Sequence, residues 1–354
     1  MSVATESRKF VSRGSEEFDF QDVLYTKADQ IARITINRPQ AYNAYSTEAL
    51  DELATAFRDA SFDDAVGVIV FTGAGDRAFC TGGDVKEYAD AYVATPRDYW
   101  KYMALFRAYI ESILNTGKPV VARLNGMAVG GGNESQLACD LTVMAQHTLI
   151  KQVGTHVGSV ACGGSTQWLP LVVGDKRARE ILMLNEPIPA LKAEQWGLVN
   201  WVVPSVRRGD VWLDEATPSE IKKAQKRQDD YVIDLSKLDA FVDELAQKLL
   251  ASFPECTRYT KQQTNFWKDL AWHSTARHAQ DWLSLHYTCW EPAEGMQAFV
   301  EKRAPRFALL RERAAKGESS ETPWGAWIAT CESCGAANLP ADHTFCGVCG
   351  AARS

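Results

Sequence analysis

Two strand-to-glycine turns constrain this chain more than any other feature. The first, AFCTGGD, covers Ala78–Asp84, and the second, LNGMAVGGGNESQLACD, covers Leu124–Asp140. In the second turn an apolar strand runs through three glycines, Gly130–Gly132, into a helix predicted to start near Glu134. Glycine allows the backbone to approach a ligand closely, and a helix N-terminus offers unpaired N–H groups. Two such turns converging on one carbonyl oxygen would form an oxyanion hole, and two tight turns without a ligand are the alternative.

Strands and helices alternate around these turns, which predicts an α/β fold. The apolar run VGVIVFT is typical of a buried parallel strand. The predicted strands are Val23–Tyr25, Ile31–Ile36, Val66–Thr72, Pro119–Leu124 and Leu141–Ala145. The predicted helices start at Ser46 or Thr47 and at Pro96, then cover Thr166–Val173, Asp175–Asn185, Ala190–Trp196, Leu235–Phe253, Gln262–Trp290 and Pro292–Arg313. Residues 207–230 are expected to be charged and irregular.

The composition is that of a globular protein and excludes several classes. Of the 354 residues, 46% are hydrophobic and 23% are charged, and the net charge of −7 argues against nucleic acid as a partner. No apolar run is long enough to cross a membrane, and the polar start of the chain lacks a secretory signal. With reduced cysteines expected, the predicted location is the cytoplasm.

Four of the nine cysteines have the spacing of a metal site. They form two Cys-x2-Cys pairs, Cys331 with Cys334 and Cys346 with Cys349, and a glycine follows each pair. Four thiolates at this spacing can close a tetrahedral zinc site, and they leave no open position for catalysis. The prediction is a structural zinc ribbon, with a disulfide pair or iron as the alternatives.

Six motifs, in order, resemble the crotonase (enoyl-CoA hydratase/isomerase) superfamily. The resemblance covers roughly Phe20 to Pro305. The motifs are ITINRP (Ile34–Pro39), FTGAGDRAFCTGGDVKEY (Phe71–Tyr88), KPVVARLNGMAVGGGNE (Lys118–Glu134), ACDLTV (Ala138–Val143), VGSVACGGSTQWLP (Val157–Pro170) and EQWGLVNWVVP (Glu194–Pro204).

The resemblance implies a fold, an assembly and a site. The fold would be a ββα spiral with a C-terminal helical region, assembled as a homotrimer or hexamer. The substrate would be an acyl-CoA thioester whose carbonyl oxygen accepts hydrogen bonds from the N–H groups of Gly83 and Gly131, beside the catalytic carboxylate of Glu134. The positions assigned on the same basis to substrate and coenzyme A binding are Ala44, Phe79, Thr81, Gly82, Gly130, Gly132 and Lys302.

The chain departs from the hydratase pattern in one carboxylate. Hydratases of the superfamily carry a second glutamate, and Gly154 stands at that position here. Within the superfamily the chain is most similar to hydrolases of aromatic degradation that open the ring of a cyclic 3-oxo (enoyl) carbonyl-CoA through an enolate. That group carries an aspartate where this chain has Cys162, so a thiol replaces a carboxylate.

Several candidate site residues have a structural alternative. Glu134 could be a helix-start carboxylate, Tyr45 a core aromatic and His156 a loop residue. Cys162 could be an inert small residue and Lys302 part of a solvated face. As functional residues, Tyr45, His156 and Cys162 would join Glu134 in proton handling within the acyl pocket.

The predicted organisation has five segments. They are a flexible leader (1–17), the spiral core (18–204), a helical region for oligomerisation and active-site cover (205–313), a linker (314–329) and the zinc ribbon (330–354). The predicted activity is ring-opening hydrolysis. The alternatives are an enoyl-CoA hydratase or isomerase without ring cleavage, and a non-catalytic CoA-binding scaffold that binds a protein partner through the ribbon.

Overall fold

A computed structural model describes residues 10–322, 328–337, 339–340 and 343–353. The chain forms two compact units. The first comprises Met1–Asp84, Lys101–Thr155 and Val160–Gln280, and the second comprises Val85–Trp100, His156–Ser159 and Asp281–Ser354. The start of the predicted leader and part of the predicted linker and ribbon lie outside the described residues.

The strands and helices follow the predicted α/β order. The strands are β1 (Val23–Ala28), β2 (Ile31–Ile36), β3 (Val68–Gly73), β4 (Ala78–Cys80), β5 (Val120–Leu124), β6 (Met127–Val129), β7 (Leu141–Ala145), β8 (Leu149–Lys151), β9 (Ile188–Pro189), β10 (Trp201–Val203), β11 (Val206–Arg208), β12 (Val211–Leu213), β13 (Tyr231–Ile233), β14 (Ile328–Ala329) and β15 (Leu339–Pro340). The helices are α1 (Thr47–Phe62), α2 (Val85–Glu87), α3 (Pro96–Leu114), α4 (Gly131–Ala138), α5 (Ser165–Val172), α6 (Asp175–Leu184), α7 (Ala190–Gln195), α8 (Pro218–Gln225), α9 (Ser236–Leu250), α10 (Pro254–Thr264), α11 (Phe266–His286), α12 (Trp290–Val300) and α13 (Phe307–Ala315).

The first unit contains two sheets that the chain builds in alternation. The larger sheet has the order β1-β2-β3-β5-β7-β10, and the smaller one has the order β4-β6-β8-β9. Strands β3, β5 and β7 pair in parallel in the large sheet, and β4, β6 and β8 pair in parallel in the small one. Each strand of the large sheet from β3 to β7 is thus followed by one of the small sheet. This repetition confirms the predicted spiral and brings the ends of β4 and β6 side by side.

Helix α9 covers one face of the large sheet. Apolar side chains from the sheet, among them Val68, Val121 and Val143, form a buried cluster with Leu238 and Val242 of the helix. Burying this apolar face is the main contribution to the stability of an α/β layer. The prediction of an amphipathic helix here is therefore confirmed.

Three of the sequence-based boundaries were wrong. Residues 207–230, expected to be irregular, include β11, β12 and α8, which pack around Val206, Ala224 and Tyr231. The helix predicted for Gln262–Trp290 is interrupted at Asn265, whose side chain instead donates to the carbonyl of Leu114 at 3.0 Å. The last predicted helix is divided into α12 and α13.

The break between α12 and α13 has a local cause in the second unit. Lys302 has a φ of 55°, which ends α12, and Pro305 follows. Arg303 and Arg306 then both bind the buried carboxylate of Glu294, with Arg306 Nη2 2.8 Å from Oε2. These ion pairs hold the pKa of Glu294 at about 2 through their hydrogen bonds.

The described part of the predicted leader contacts the first unit. The hydroxyl of Ser12 donates to Asp63 at 2.7 Å, and the ring of Phe10 lies 5.9 Å from that of Phe62. Both partners lie at or just after the C-terminal end of α1. Residues 10–13 are thus held against this helix.

Candidate active site

The two glycine turns lie next to each other in the first unit. They follow β4 and β6, which are parallel neighbours. A side-chain Cβ placed on Gly82 would lie only 2.8 Å from the backbone nitrogen of Gly131. Gly82 also has a φ of +86°, a conformation that side chains disfavour. Glycine is therefore needed at this position for the two turns to approach each other.

The backbone of Tyr45 fixes the first turn. Its N–H donates to Gly82 at 2.9 Å, and its carbonyl accepts from the N–H of Asp84 at 3.1 Å. These two hydrogen bonds do not involve the N–H of Gly83. Within the described part of the chain, neither that N–H nor the N–H of Gly131 has a hydrogen-bond acceptor. Gly131 is the first residue of α4, where the helix dipole is positive.

The side chain of Tyr45 fills the space beside the second turn. A Cβ on Gly131 would lie 1.8 Å from the Tyr45 hydroxyl oxygen, so this position accepts only glycine. The Tyr45 ring is 2% exposed and stacks on Phe106, with ring centroids 5.6 Å apart. Tyr45 is thus a buried aromatic residue whose hydroxyl group lies at the glycine turn.

Glu134 lies one turn into α4 and is 5% exposed. Its Oε1 accepts hydrogen bonds from the N–H groups of Gly163, at 2.8 Å, and Ser165, at 3.3 Å. Burial raises the pKa of Glu134 from its usual 4.5 to about 7, and the two N–H groups oppose this shift. No second carboxylate in the described chain contributes to this balance. Glu134 can therefore gain and lose a proton near neutral pH.

Cys162 and Phe106 line the surroundings of Glu134. Burial, together with the nearby charge of Glu134, raises the pKa of the Cys162 thiol, so it remains protonated and a poor nucleophile. A Cβ on Gly163 would lie 2.1 Å from the Phe106 ring and 2.8 Å from Oε2 of Glu134. The carboxylate therefore lies against the Gly163 backbone, with the Phe106 ring packed on the same glycine and the neutral Cys162 thiol nearby.

Two buried asparagines hold the start of β4. Asn43 and Asn125 are fully buried, and both side-chain amides donate to the carbonyl of Ala78, at 2.7 and 3.0 Å. Asn43 lies two residues before Tyr45, and Asn125 lies between β5 and β6. These amides connect the loop that carries Tyr45 to both glycine turns.

The other positions predicted to bind substrate in the first unit lie around the same turns. The carbonyl of Ala44 accepts from Arg38 at 2.5 Å, and Arg38 also pairs with Asp84 at 3.3 Å. Thr81 donates to the carbonyl of Tyr42 at 3.2 Å. The Phe79 side chain is fully buried against Phe71, which leaves only its backbone for a ligand.

Two predicted residues belong to the second unit. His156 ends a short 3-10 turn, and its ring lies 6.0 Å from that of Phe307. Lys302 is exposed at the end of α12. The next residue, Arg303, is paired with Glu294 and Glu301.

The four C-terminal cysteines form one cluster. Their sulfur atoms lie within 4.8 Å of one another, and the pairs Cys331–Cys349 and Cys334–Cys346 are each separated by 3.8 Å. Four sulfurs about 2.3 Å from a zinc ion would lie about 3.8 Å apart, whereas a disulfide needs about 2.05 Å. Backbone N–H groups of Cys349 and Val348 lower the pKa of Cys346 to about 6, which favours the thiolate. The cluster therefore fits a metal ion.

The sequence did not identify the groups that hold Glu134. Gly163 and Ser165 lie within a motif that carried the resemblance, but nothing in the pattern paired them with Glu134. Phe106 lies in the helix predicted to start at Pro96, and nothing in the sequence assigned it to the site. The available signal was the pair Gly163-Gly164 before a predicted helix, because the other two turns also have consecutive glycines.

The chain belongs to the enoyl-CoA hydratase/isomerase family, which it matches over residues 26–225. It is 38% identical over 318 residues to a 6-oxocyclohex-1-ene-1-carbonyl-CoA hydrolase of Geobacter metallireducens, covering 83% of this chain and 82% of that protein. It is 36% identical over 316 residues to the hydrolase of the same name from Thauera aromatica, with 82% of each covered. The similarity to 6-oxocyclohex-1-ene-1-carbonyl-CoA hydrolases is thus confirmed.

Solved structures show the same fold. An enoyl-CoA hydratase from Mycobacterium avium subsp. paratuberculosis matches with a TM-score of 0.65 and 24% identity, over 81% of this chain and 98% of that one. A Bacillus anthracis enoyl-CoA hydratase matches with a TM-score of 0.58 and 27% identity, over 81% and 99%. No helix in the described ranges is long and apolar enough to span a membrane.

Proposed function

We propose that the protein hydrolyses a cyclic 3-oxo (enoyl) carbonyl-CoA and opens its ring, with Glu134 as the group that activates water. The observation that carries this proposal is the buried carboxylate of Glu134, with a pKa of about 7, beside two adjacent glycine turns. The names of the two hydrolases to which the chain is similar supply the substrate class.

The thioester carbonyl oxygen would accept from the N–H groups of Gly83 and Gly131. Both N–H groups lack an acceptor within the described residues, and the second lies at a helix N-terminus. Charge that develops on the oxygen as an enolate forms is stabilised by such fixed donors. The hydroxyl of Tyr45 lies beside Gly131 and supports the position of this turn.

Both water additions can use the same carboxylate. In the first, Glu134 takes a proton from water as the oxygen bonds to the β-carbon, and the resulting enolate is protonated at the α-carbon. In the second, water adds to the ring ketone, and the bond from that carbon to the α-carbon breaks. The former ketone becomes a carboxylic acid and the electron pair returns to the enolate. Glu134 accepts and returns one proton in each round.

Hydration without ring cleavage is the second candidate. The thiol of Cys162 stands where the ring-opening hydrolases resembled by the motifs have a carboxylate, and its raised pKa keeps it neutral. A neutral thiol does not activate a second water. In this case the protein would add one water to an enoyl-CoA and release the hydroxyacyl thioester.

The C-terminal cluster would hold a structural zinc ion through Cys331, Cys334, Cys346 and Cys349. The sulfur spacing of 3.8 Å supports this assignment. A ribbon of this type is a candidate docking site for a protein partner. Assembly into a trimer or hexamer in the cytoplasm follows from the family resemblance.

Substitution of Glu134 by Gln tests the proposed role. Gln retains an oxygen that can accept from Gly163 and Ser165, so the variant should fold normally. We expect turnover of a cyclic oxo-enoyl-CoA to fall by about 10²–10⁴-fold, because Gln cannot take a proton. Glu48→Gln, an exposed carboxylate on α1, serves as the control. Unchanged turnover in Glu134→Gln would exclude Glu134 as the base.

A further inference from the structure

Helix α11 contacts the C-terminal end of the helix that carries Glu134. Lys268 reaches from α11 to α4, where its Nζ donates to the carbonyl of Leu137 at 2.7 Å and lies 3.5 Å from that of Cys139. The last carbonyls of a helix lack partners within the helix and carry its negative dipole end. A lysine ammonium group satisfies both the hydrogen bonding and the charge there.

The same residue also contacts the segment that binds the Glu134 carboxylate. The backbone carbonyl of Lys268 accepts from Nε1 of Trp168, on α5, at 3.1 Å. A Cβ on Gly164 would lie 2.5 Å from the Trp168 ring, so this ring packs directly on the turn that ends at Ser165. Lys268 therefore connects the helix that carries Glu134 with the turn that hydrogen-bonds to it.

Trp272, one turn further along α11, adds a third connection. Its ring lies 5.3 Å from that of Trp168, and its Nε1 donates to Glu111 of α3 at 3.0 Å. Helix α3 also carries Phe106, which packs against Gly163. One face of α11 thus joins the three helices that surround Glu134.

The charges around Lys268 are mixed. Burial has the largest effect and lowers the pKa of Lys268, and Lys261 acts in the same direction. Asp140 and Cys139 favour the charged form of Lys268. Asp269 on the same helix also favours the charged form. Lys261 pairs with Asp140 at 2.9 Å and donates to the carbonyls of Ile113, near the end of α3, and Lys118, just before β5.

We infer that Lys268 is a positioning residue for Glu134, acting through the C-terminal carbonyls of α4 and through Trp168. The functional meaning of this inference rests on the proposed role of Glu134 as the base. Helix α4 has eight residues and is about 12 Å long. Glu134 lies in the middle of this helix, about one turn before Leu137, so a buried positive charge at the C-terminal end favours the ionised form of its carboxyl group.

Titration of Glu134 in variants of Lys268 tests the inference. The carboxylic acid band of Glu134 in infrared spectra is identified by its absence in Glu134→Gln. We expect Lys268→Met to move its midpoint upward by roughly half to one pH unit. The acid limb of the kcat/KM profile should move by the same amount. Lys268→Arg keeps the charge and the donors and should restore both.

Two further variants make the outcome decisive. Lys268→Gln keeps a donor without the charge, and it should fold and still show the shift if Lys268→Met does not fold. Lys261→Met removes a buried lysine that contacts Ile113, Lys118 and Asp140 but donates to no carbonyl of α4. An equal shift in Lys261→Met, or no shift in either Lys268 variant, would overturn the inference. Because the band is titrated without turnover, this outcome is independent of whether Glu134 proves to be catalytic.

Discussion

Burial of Glu134 raises its pKa to about 7, and this one shift affects both reactivity and stability. The unfolded chain binds this proton with a pKa near 4.5, so the folded protein holds it more tightly. The stabilisation from the bound proton is complete below about pH 4.5 and is lost as the pH rises through about 7. The loss above that point amounts to roughly 3 kcal/mol. The burial that would suit Glu134 to its proposed role as a base near neutral pH therefore costs stability above that pH.

The activity and the stability should change in opposite directions with pH. We expect kcat/KM to rise as the pH passes through about 7, since Glu134 must be ionised to accept a proton. Over the same range the wild type should lose thermal stability relative to Glu134→Gln, and the two proteins should converge below about pH 4.5. Melting curves of the wild type and Glu134→Gln, together with kcat/KM of the wild type, are measured at a series of pH values from below about 4.5 to above about 7. A flat rate profile with parallel melting curves would contradict the account.

At the residue scale, local signals made Glu134 a candidate catalytic residue but did not predict its surroundings. Consecutive glycines before a helix made Glu134 a candidate, because backbone geometry is a local property. The N–H groups of Gly163 and Ser165 reach Glu134 from a distant part of the chain, and the ring of Phe106 packs against Gly163. A single sequence gives no pairing between such segments. Only the fold could reveal that burial raises the pKa of Glu134 and that these two N–H groups oppose the shift.

Helix α9 and the large sheet are joined by ion pairs at two levels of burial. Arg123 of β5 is 8% exposed, and its Nε donates to Asp239 of α9 at 2.8 Å. One helical turn further, Asp243 pairs with Arg33, but both side chains are largely exposed. A buried guanidinium group that loses its carboxylate keeps an uncompensated charge, whereas an exposed one is solvated.

These two pairs give a matched comparison of stability. We expect Asp239→Ala to lower the free energy of unfolding by about 1–3 kcal/mol, because Arg123 would retain only its bond to Thr72. Asp243→Ala should cost less than about 1 kcal/mol. Urea denaturation of both variants measures the difference. Equal losses would show that the burial of Arg123 does not control the strength of the contact.

At the element scale, periodicity predicted the helices and strands with continuous apolar patterns, including β3, α9 and the helices around Gly174. It missed breaks that depend on tertiary contacts. Asn265 interrupts the pattern by binding the carbonyl of Leu114, and the left-handed Lys302 ends α12. Short strands such as β11 carry mostly charged residues, so their few apolar positions gave no visible alternation.

The molecule combines an enoyl-CoA hydratase/isomerase fold with a four-cysteine cluster near its C-terminus. The cluster has no ligand position left for a substrate once four thiolates bind one ion. Its segment is too short to bury a large core, so metal binding is expected to provide its folding free energy. The four-cysteine cluster is therefore expected to need a metal ion to fold, whereas the enoyl-CoA hydratase/isomerase fold has its own buried apolar core.

Removing the metal ion should show that thioester turnover does not depend on the four-cysteine cluster. We expect about one zinc ion per chain by elemental analysis, and its loss in the double variant Cys331→Ser with Cys334→Ser. Thioester turnover should stay within about two-fold of the wild type, because Glu134 needs no metal to accept a proton. Zinc content that survives the double substitution would argue against the predicted ligand set. A loss of turnover in parallel with the metal would assign the ion a role beyond the ribbon.

The number of water molecules added to the substrate tests the central claim most directly. The protein is incubated with a cyclic oxo-enoyl-CoA in ¹⁸O-labelled water, and the product is analysed by mass spectrometry with the Glu134→Gln variant as the control. Hydrolytic ring opening predicts an acyclic acyl-CoA with a new carboxylate, and a mass increase of two waters. A product that has gained a single water and keeps its ring would contradict ring cleavage and identify the protein as a hydratase.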